Sequence, residues 1–377
     1  MLESIFIIIV GVYCIQLISL LISTFKKYKK LPEDKLPSIS IIVAVRNEEK
    51  NIRRCLESLD QLVYPEGKLE MIISNNQSID NTGAIIDDFI VGKPLFKHLI
   101  PSEDTDHLRG KANALAQAIK ISKGEVILTT DADCAVPSTW TKTIGSYYQD
   151  DVGMVMGFTT QETYNHFSGM QMMDFIYLLT LASGTMNMGK PVSAIGNNMS
   201  YRKSAYQEVG GYETIPFSVT EDFQLLKSID SLKKYKIIYP LDQEALVVSE
   251  PCEDYKTLYR QKKRWGVGGL ESDISGYFLL GTTFLANLGI LFSAIFFSFI
   301  SLTSLVIKIG MDFLVFSFIL KRLKLLSKLK YFLAFELYFI IYVLALPFTM
   351  IKSRKVVWKD KTYDGSENQT LVSKKSL

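Results

Sequence analysis

The chain has only four cysteines among its 377 residues, and they lie far apart at Cys14, Cys55, Cys134 and Cys252. There is no Cys-x-x-Cys pair and no histidine at metal-ligand spacing. That argues against a zinc or disulfide framework and fits a reducing compartment. An excess of one charge is also missing. Forty-two Lys and Arg against 39 Asp and Glu leave a net charge of +3, too small to point to nucleic acid. No internal repeat, low-complexity stretch or phosphate-binding P-loop is visible. The basic residues gather beside apolar segments, at Lys26, Lys27, Lys29 and Lys30 and again at Lys321, Arg322, Lys324, Lys328 and Lys330. Such clusters suit the cytoplasmic flanks of membrane helices. A polyanion site is the lesser alternative.

What the chain has in quantity is apolar residues, 48% of the total and unevenly spread. The length suits one domain of about 200–250 residues plus membrane segments. Ile5 to Phe25 carries no charge, and a helix of that length spans about 30 Å, a hydrocarbon core. Met1-Leu2-Glu3 is not basic, and Ile22-Ser23-Thr24-Phe25 is a poor cleavage site, so a retained anchor is expected. Its N-terminus would lie outside and residues from 26 onward in the cytoplasm. Tyr277 to Leu320 is broken only by Lys308 and Asp312 and predicts two helices joined by a turn near 299–302. Lys308 and Asp312 are spaced to pair on one helix face, which lowers the cost of both charges in lipid. Tyr331 to Met350 is a third apolar segment, carrying Glu336. Four full spans would leave the C-terminus outside, yet the tail carries Lys352, Arg354, Lys355, Lys359 and Lys361. One C-terminal segment is therefore expected to be interfacial or re-entrant. The expected divisions are an anchor at 1–30, a cytoplasmic domain at 31–272, a membrane region at 273–351 and a polar tail at 352–377.

Between the apolar ends, strands and helices alternate. Ile39 to Val45 is a β-branched run that predicts a buried strand. Asn47 is placed to cap a helix starting at Glu48-Glu49 and carrying Ile52, Leu56 and Leu59. Leu69 to Ile73 predicts a second strand, and Lys111 to Ile121 a helix stopped by Gly124. Glu125 to Thr129 predicts the next strand, with Pro137 at the following helix start. This order implies an α/β fold with a mostly parallel sheet and helices on both faces. Ligands bind outside the carboxyl ends of such strands. Three of those ends carry Arg46-Asn47-Glu48, Asn75-Asn76 and Asp131-Ala132-Asp133.

Asp131 and Asp133 are hard oxygen ligands one residue apart after a strand. That spacing suits Mg²⁺ or Mn²⁺ bridging to the phosphates of a nucleotide. Taken alone, the pair also reads as an acidic turn. Thr220-Glu221-Asp222 precedes an amphipathic helix. It reads either as a capped helix start, with Thr220 as cap, or as the holder of a base that deprotonates an acceptor hydroxyl. Gln261, Arg264 and Trp265 end a polar helix beside the apolar region. Arg264 suits diphosphate oxygens, and the Trp265 indole suits either a sugar face or a membrane interface.

Taken in order, these motifs resemble the membrane-bound, inverting members of glycosyltransferase family 2, which include ceramide-glucosyltransferase-like enzymes and cellulose and hyaluronan synthases. The resemblance covers roughly 36–270. It rests on Arg46-Asn47-Glu48, Gly110 to Leu115, Asp131-Ala132-Asp133, Gly196 to Arg202, Thr220-Glu221-Asp222 and Gln261 to Trp265. It implies a GT-A fold, one N-terminal and about three C-terminal transmembrane or interfacial helices, and a nucleotide-sugar donor, most commonly UDP-linked. Glu48, Asn75, Asn76, Lys111, Asp131, Gln261 and Arg264 then fall where the family contacts the donor. Asp131 and Asp133 fall at the metal, and Asp222 at the catalytic base. Gly196, Asn197, Asn198, Glu221 and Trp265 fall near the acceptor. One departure is plain. The family carries a pattern like Asp-Asp-Gly-Ser-x-Asp after its second strand, where this chain has Asn75-Asn76-Gln77-Ser78-Ile79-Asp80. An amide still hydrogen-bonds a base or ribose, but the charge is gone.

The leading expectation is a multi-pass enzyme of the cell membrane, with its catalytic domain in the cytoplasm, glycosylating a lipid or lipid-linked acceptor. A processive synthase acting on a glycan is the close alternative, favoured by Gln-x-x-Arg-Trp and disfavoured by the small membrane portion. A membrane-anchored scaffold that has lost catalysis is the reading of another class, and a transporter ranks below it.

Overall fold

The computed structural model describes residues 2–105, 108–295, 297–352, 355–358 and 361–364. Of the expected polar tail, Arg354, Lys359 and residues 365–377 lie outside the described residues. The elements in chain order are α1 (Leu2–Thr24), β1 (Ile39–Val45), α2 (Ile52–Asp60), β2 (Leu69–Asn75), α3 (Thr82–Ile90) and β3 (Phe96–Leu99). Next come α4 (Gly110–Ile121), β4 (Val126–Asp131), β5 (Cys134–Ala135), α5 (Trp140–Ser146), β6 (Val152–Met156), β7 (Thr159–Gln161) and α6 (His166–Asn187). Then follow β8 (Met199–Arg202), α7 (Lys203–Glu208), α8 (Glu221–Ser231), β9 (Lys236–Ile238), β10 (Val247–Ser249) and α9 (Tyr255–Gly269). The last are α10 (Ile274–Ile295), α11 (Phe299–Arg322), α12 (Phe332–Lys352), β11 (Lys355–Trp358) and β12 (Lys361–Asp364).

These elements form two compact units that do not follow chain order. An α/β unit is built mainly from Lys27–Thr160 and Ala194–Glu250, and a helical unit from Met1–Lys26, Gln161–Ser193 and Pro251–Glu367.

The α/β unit is organised by a seven-stranded sheet of order β3-β2-β1-β4-β8-β6-β9. Strands β3, β2, β1 and β4 run parallel, as do β6 and β9, while β8 is antiparallel to both its neighbours. Helices cover both faces of β1, which is why Ile39 to Val45 reads as one apolar run: Ile39, Ile41, Ile42, Val43 and Val45 are all buried. The register sets Val45 opposite Asn75 and Ala44 opposite Asp131. The carboxyl ends of β1, β2 and β4 therefore finish side by side. Strands β5, β10 and β7 make a second, small sheet.

Four local expectations are corrected here. Asn47 does not cap α2, which starts at Ile52 with Asn51 at its N-cap. Asn47 instead sits at φ 51°, where a short polar side chain is tolerated, and its Oδ1 accepts from the Ile79 N–H at 2.9 Å. The turn is thus tied across to the β2–α3 loop. Thr220 stands at the N-cap of α8 without a side-chain capping bond; its hydroxyl pairs with that of Ser218 at 3.2 Å. Helix α4 ends before Gly124, with Ser122 as its C-cap. Gly124 is needed for space, since a Cβ there would lie 2.4 Å from the backbone nitrogen of Ser40. Helix α5 begins at Trp140, not at Pro137.

In the helical unit α1 packs against α6, α10 and α11, and α12 against α6, α9 and α10. Gly184 of α6 lets α1 approach: an added Cβ would be 2.8 Å from Leu20. Among the described residues four segments are long and apolar enough to cross a membrane, Ser4–Thr24, Ile274–Ser293, Phe299–Arg322 and Leu326–Thr349. Ile8, Ile15 and Ile22, spaced by seven, stay exposed on one face of α1, as a lipid-facing stripe would. The turn between α10 and α11 falls before 299, with Ser298 and Ser301 forming a capping box. Helix α6 had no sequence signal. It is buried nearly all round, so it has no polar face to give it a period.

Candidate active site

The carboxyl end of the parallel sheet gathers a charged cluster from three elements. Lys111, in the first turn of α4, places Nζ 2.6 Å from Asp131 Oδ1 at the end of β4. The same nitrogen lies 3.4 Å from Glu221 Oε1 at the start of α8. Side-chain exposures of 18%, 35% and 12% for Lys111, Asp131 and Glu221 leave the cluster open to solvent on one side. Burial disfavours the lysine charge. The Asp131, Glu221 and Asp222 carboxylates outweigh that and hold its ammonium well above the usual lysine range.

Asp222 is held at two points. Its Oδ2 accepts from the Gly196 N–H at 2.7 Å and its Oδ1 from the Phe223 N–H at 2.8 Å. The carboxylate is thereby oriented beside Lys111. The Gly196 Cα lies against both groups: a Cβ there would sit at ordinary contact distance, 3.4 Å, from Asp222 Oδ2 and Lys111 Nζ. Gly196 itself is anchored, because Thr129 Oγ1 of β4 donates to its carbonyl at 2.8 Å. Nothing in the sequence marked Thr129 or Thr130 for this task, although inward-facing threonines on a buried strand need such acceptors.

Asn197 and Asn198 direct their amides into the fold. Asn197 Oδ1 accepts from Thr159 Oγ1 at 2.9 Å. Asn198 Oδ1 accepts from the Trp140 indole N–H at 2.9 Å, while its Nδ2 donates to the carbonyls of Phe158 and Ala245 at 2.7 and 2.9 Å. Trp140 is fully buried, so Asn198 supplies the partner that a buried indole requires.

At the ends of β1 and β2 two loops clasp each other. Arg46 Nη1 donates to the Asn76 carbonyl at 2.8 Å, and Ser78 Oγ accepts from the Asn47 N–H at 3.0 Å. Asp80 accepts from the Glu49 and Thr82 N–H groups at 3.2 and 3.0 Å. Burial would raise its carboxyl slightly, but the Thr82 and backbone hydrogen bonds win and hold it below the usual range. Asn75 Oδ1 accepts from the Ser78 N–H at 3.2 Å, and Glu48 Oε2 from Asn51 Nδ2 at 2.9 Å. Asn75 and Asn76 are both buried.

The Asp131–Asp133 turn has a thiol on each flank. Cys55 Sγ donates to the Asp131 carbonyl at 3.7 Å, and Cys134 Sγ to Asp133 Oδ1 at 3.4 Å. Burial, helped by Asp133 and Asp131, pushes both thiols well up. They are inert packing groups.

Gln261, Arg264 and Trp265 belong to α9 in the helical unit. Trp265 stacks on Phe175 of α6, with ring centroids 5.6 Å apart and 20° between planes. The Lys262 ammonium lies 4.4 Å from the indole centroid. Lys262 itself is buried in an ion pair with Asp174 of α6.

Comparison with known proteins agrees with this arrangement. Residues 40–210 match the glycosyl transferase family 2 model, and residues 126–352 match the glycosyl transferase family group 2 model. The chain is 26% identical over 241 residues to the "Probable glycosyltransferase YdaM" of Bacillus subtilis, covering 62% of this chain and 56% of that protein. It is 28% identical to the "Beta-monoglucosyldiacylglycerol synthase" of Nostoc, over 65% of this chain and 52% of that one. It is also 28% identical to the "Poly-beta-1,6-N-acetyl-D-glucosamine synthase" of Staphylococcus epidermidis, over 64% and 57%. The chain thus spans little more than half the length of these three relatives. In fold it is similar to the mannosyltransferase PcManGT of Pyrobaculum calidifontis, solved with GDP-Man and Mn²⁺. That likeness has a TM-score of 0.58 and 18% identity, and covers 90% of this chain and 99% of that one. With an α/β sheet of the GT-A kind and the glycosyl transferase family group 2 model matched over more than half its length, the chain belongs to glycosyl transferase family group 2.

Proposed function

We propose that this protein is a membrane-bound inverting glycosyltransferase that moves a sugar from a nucleotide-sugar donor to a lipid or lipid-linked hydroxyl. The observation that carries the reading is the open cluster of Lys111, Asp131, Glu221 and Asp222 at the carboxyl end of the sheet. In such sheets that is where ligands bind. Lys111 supplies a permanent positive charge for donor phosphates. Asp222, oriented by the Gly196 and Phe223 N–H groups, is the base that takes the proton from the attacking hydroxyl. Glu48, Asn75 and Asn76 at the loops after β1 and β2 face the nucleoside end, and Gln261, Arg264 and Trp265 serve the diphosphate and acceptor.

A divalent cation fits the residues present. Among the described residues no group of three or more His, Cys, Asp or Glu forms a ready-made metal cage. Asp131 and Asp133 instead offer two hard carboxylates at an open edge. That donor set suits Mg²⁺ or Mn²⁺, which complete their shell with substrate phosphates and water. When bound, the ion would offset the charge developing on the leaving diphosphate.

The lipid acceptor is supported by the four membrane-length segments and by the similarity to a protein named beta-monoglucosyldiacylglycerol synthase. Catalysis would then occur at the cytoplasmic face of the cell membrane. A processive polysaccharide synthase is the second reading, favoured by Gln261–Trp265 and the similarity to a poly-N-acetylglucosamine synthase. The test is nucleoside diphosphate release by detergent-purified protein from UDP-, GDP- and dTDP-sugars. It is run with Mn²⁺, Mg²⁺ or EDTA and with or without membrane lipid. Lipid-dependent release with a glycolipid product is expected. Release without lipid and with high-mass product favours the second reading. Absence of both release and donor binding overturns the enzyme reading.

A further inference from the structure

Among its described residues the helical unit buries two ion clusters, and only one is balanced in charge. Lys262 and Asp174 meet one to one, with side chains 6% and 3% exposed. Lys308 of α11 meets two carboxyls, Asp312 Oδ2 at 2.8 Å and Glu336 Oε2 of α12 at 2.9 Å. These three side chains are 0%, 1% and 5% exposed. If all were ionised, a net charge of −1 would be sealed among helices of membrane length, which is strongly disfavoured.

Among the described residues, the groups around the cluster supply no second positive charge. From α1 come the Tyr13 hydroxyl, which donates to Asp312 Oδ1 at 2.7 Å, and the Cys14 thiol. From α6 comes Tyr177, 2.9 Å from Tyr13, and also Asp174, already matched by Lys262. From α10 comes Thr283, which is neutral and bonds Tyr177. From α12 comes the Phe339 ring, 6.0 Å from the Lys308 ammonium, and Tyr338, which donates to Asp174. Glu336 Oε1 is left buried without a hydrogen-bond partner, and Asp312 Oδ2 reaches only the ammonium it shares with Glu336. Both carboxyls are acceptors when ionised, so neither can satisfy the other without a proton.

We propose that this cluster is a proton-binding site, in which one exchangeable proton is held by Glu336 and shared with Asp312. Glu336 is the carrier because it has the weaker support. Asp312 has both a tyrosine donor and the ammonium beside it, whereas Glu336 has the ammonium alone. The proton gives the orphaned Glu336 oxygen a hydrogen-bonding role and brings the cluster to neutrality. It joins α11 to α12 and, through Tyr13, to α1. By linkage, a folded state that binds one proton more than the unfolded chain at neutral pH loses stability as pH rises.

The test is infrared spectroscopy of the full chain in lipid nanodiscs at pH 7. A protonated-carboxyl C=O band is expected, and ¹³C-glutamate labelling should shift it. Labelling leaves the sequence intact, so this arm does not depend on a variant folding. Glu336→Gln and Asp312→Asn should each remove the band, because each leaves one carboxylate for one ammonium. Because an unfolded glutamate ionises near about pH 4.3, thermal stability in the wild type should fall as pH rises above about 5 until the buried proton is lost, and Glu336→Gln should remove that slope. Absence of the band, or a band that survives Glu336→Gln, overturns the proposal. So does absence of the band together with a melting temperature that depends on Na⁺ or K⁺ but not choline, since a metal cation then supplies the charge.

Discussion

The lysine–carboxylate cluster of the α/β unit and those of the helical unit are built from the same residue types. They differ in access. Lys111, Asp131 and Glu221 are 18%, 35% and 12% exposed, while the five residues of the two helical clusters are 0–6% exposed. An open cluster can exchange its internal partners for a ligand's charges, and water screens it until then. A closed cluster admits nothing larger than a proton, so its charges must cancel within it. Exposure, more than composition, separates a candidate site from a structural fastener.

Four measurements would break or sharpen that comparison. The largest expected effect is at the open cluster. Asp222→Asn should cut sugar transfer by about 10²–10⁴-fold while donor affinity stays near wild type, since a positioned base contributes about that much. Equal loss of donor binding and turnover would remove Asp222 from the role of base. At the closed pair, Asp174→Ala should destabilise the fold by about 3–5 kcal/mol, because Lys262 is left buried without its counter-charge. The double variant Asp174→Leu with Lys262→Met should recover most of that in detergent thermal melts. A double variant as unstable as the single one would show that the pair does more than cancel charge. Lys111→Met is the intermediate case. It should weaken nucleotide-sugar binding by about 10–100-fold, in line with about 1.5–3 kcal/mol for a charged hydrogen bond, and change the melting temperature little. A large stability loss with unchanged donor binding would place Lys111 among the fasteners.

The smallest effect is expected at a half-open pair. Asp242 lies 2.7 Å from both the Lys30 ammonium and the Tyr147 hydroxyl. Burial works against its charge, yet these partners hold its carboxyl below the usual range. A lowered folded value means that its contribution is complete above the ordinary aspartate value of about 3.9. It is lost only as pH falls through the lowered one. Asp242→Asn should therefore flatten the acid limb of the stability profile by at most about 1 kcal/mol, because Lys30 is 42% exposed and screened. An unchanged acid limb would show that the pair contributes nothing.

The order of motifs, the parallel βαβ character of 39–131 and the membrane-length segments were legible in the residues. Each depends on local signals: β-branched runs, apolar lengths and acids at strand ends. The pairing of Lys308 with Asp312 was legible too, since spacing by four fixes it within one helix. The third partner, Glu336, was not, because it arrives from another helix 28 residues away in sequence. Helix α6 was invisible for a related reason: with neighbours on nearly all sides it carries no amphipathic stripe. Asn47 misled, because cap and left-handed turn favour the same short polar side chains, and only the loop after β2 decides between them.

By itself, then, the sequence determined the family, the element types along the sheet and the stretches able to enter a bilayer, since these follow from periodicity, length and short-range spacing. Tertiary structure alone decided which carboxylates meet which lysines, that Asn197 and Asn198 turn inward, and which charged clusters stay open. Those outcomes depend on register and burial between segments far apart in the chain, and neither propensity nor spacing encodes them.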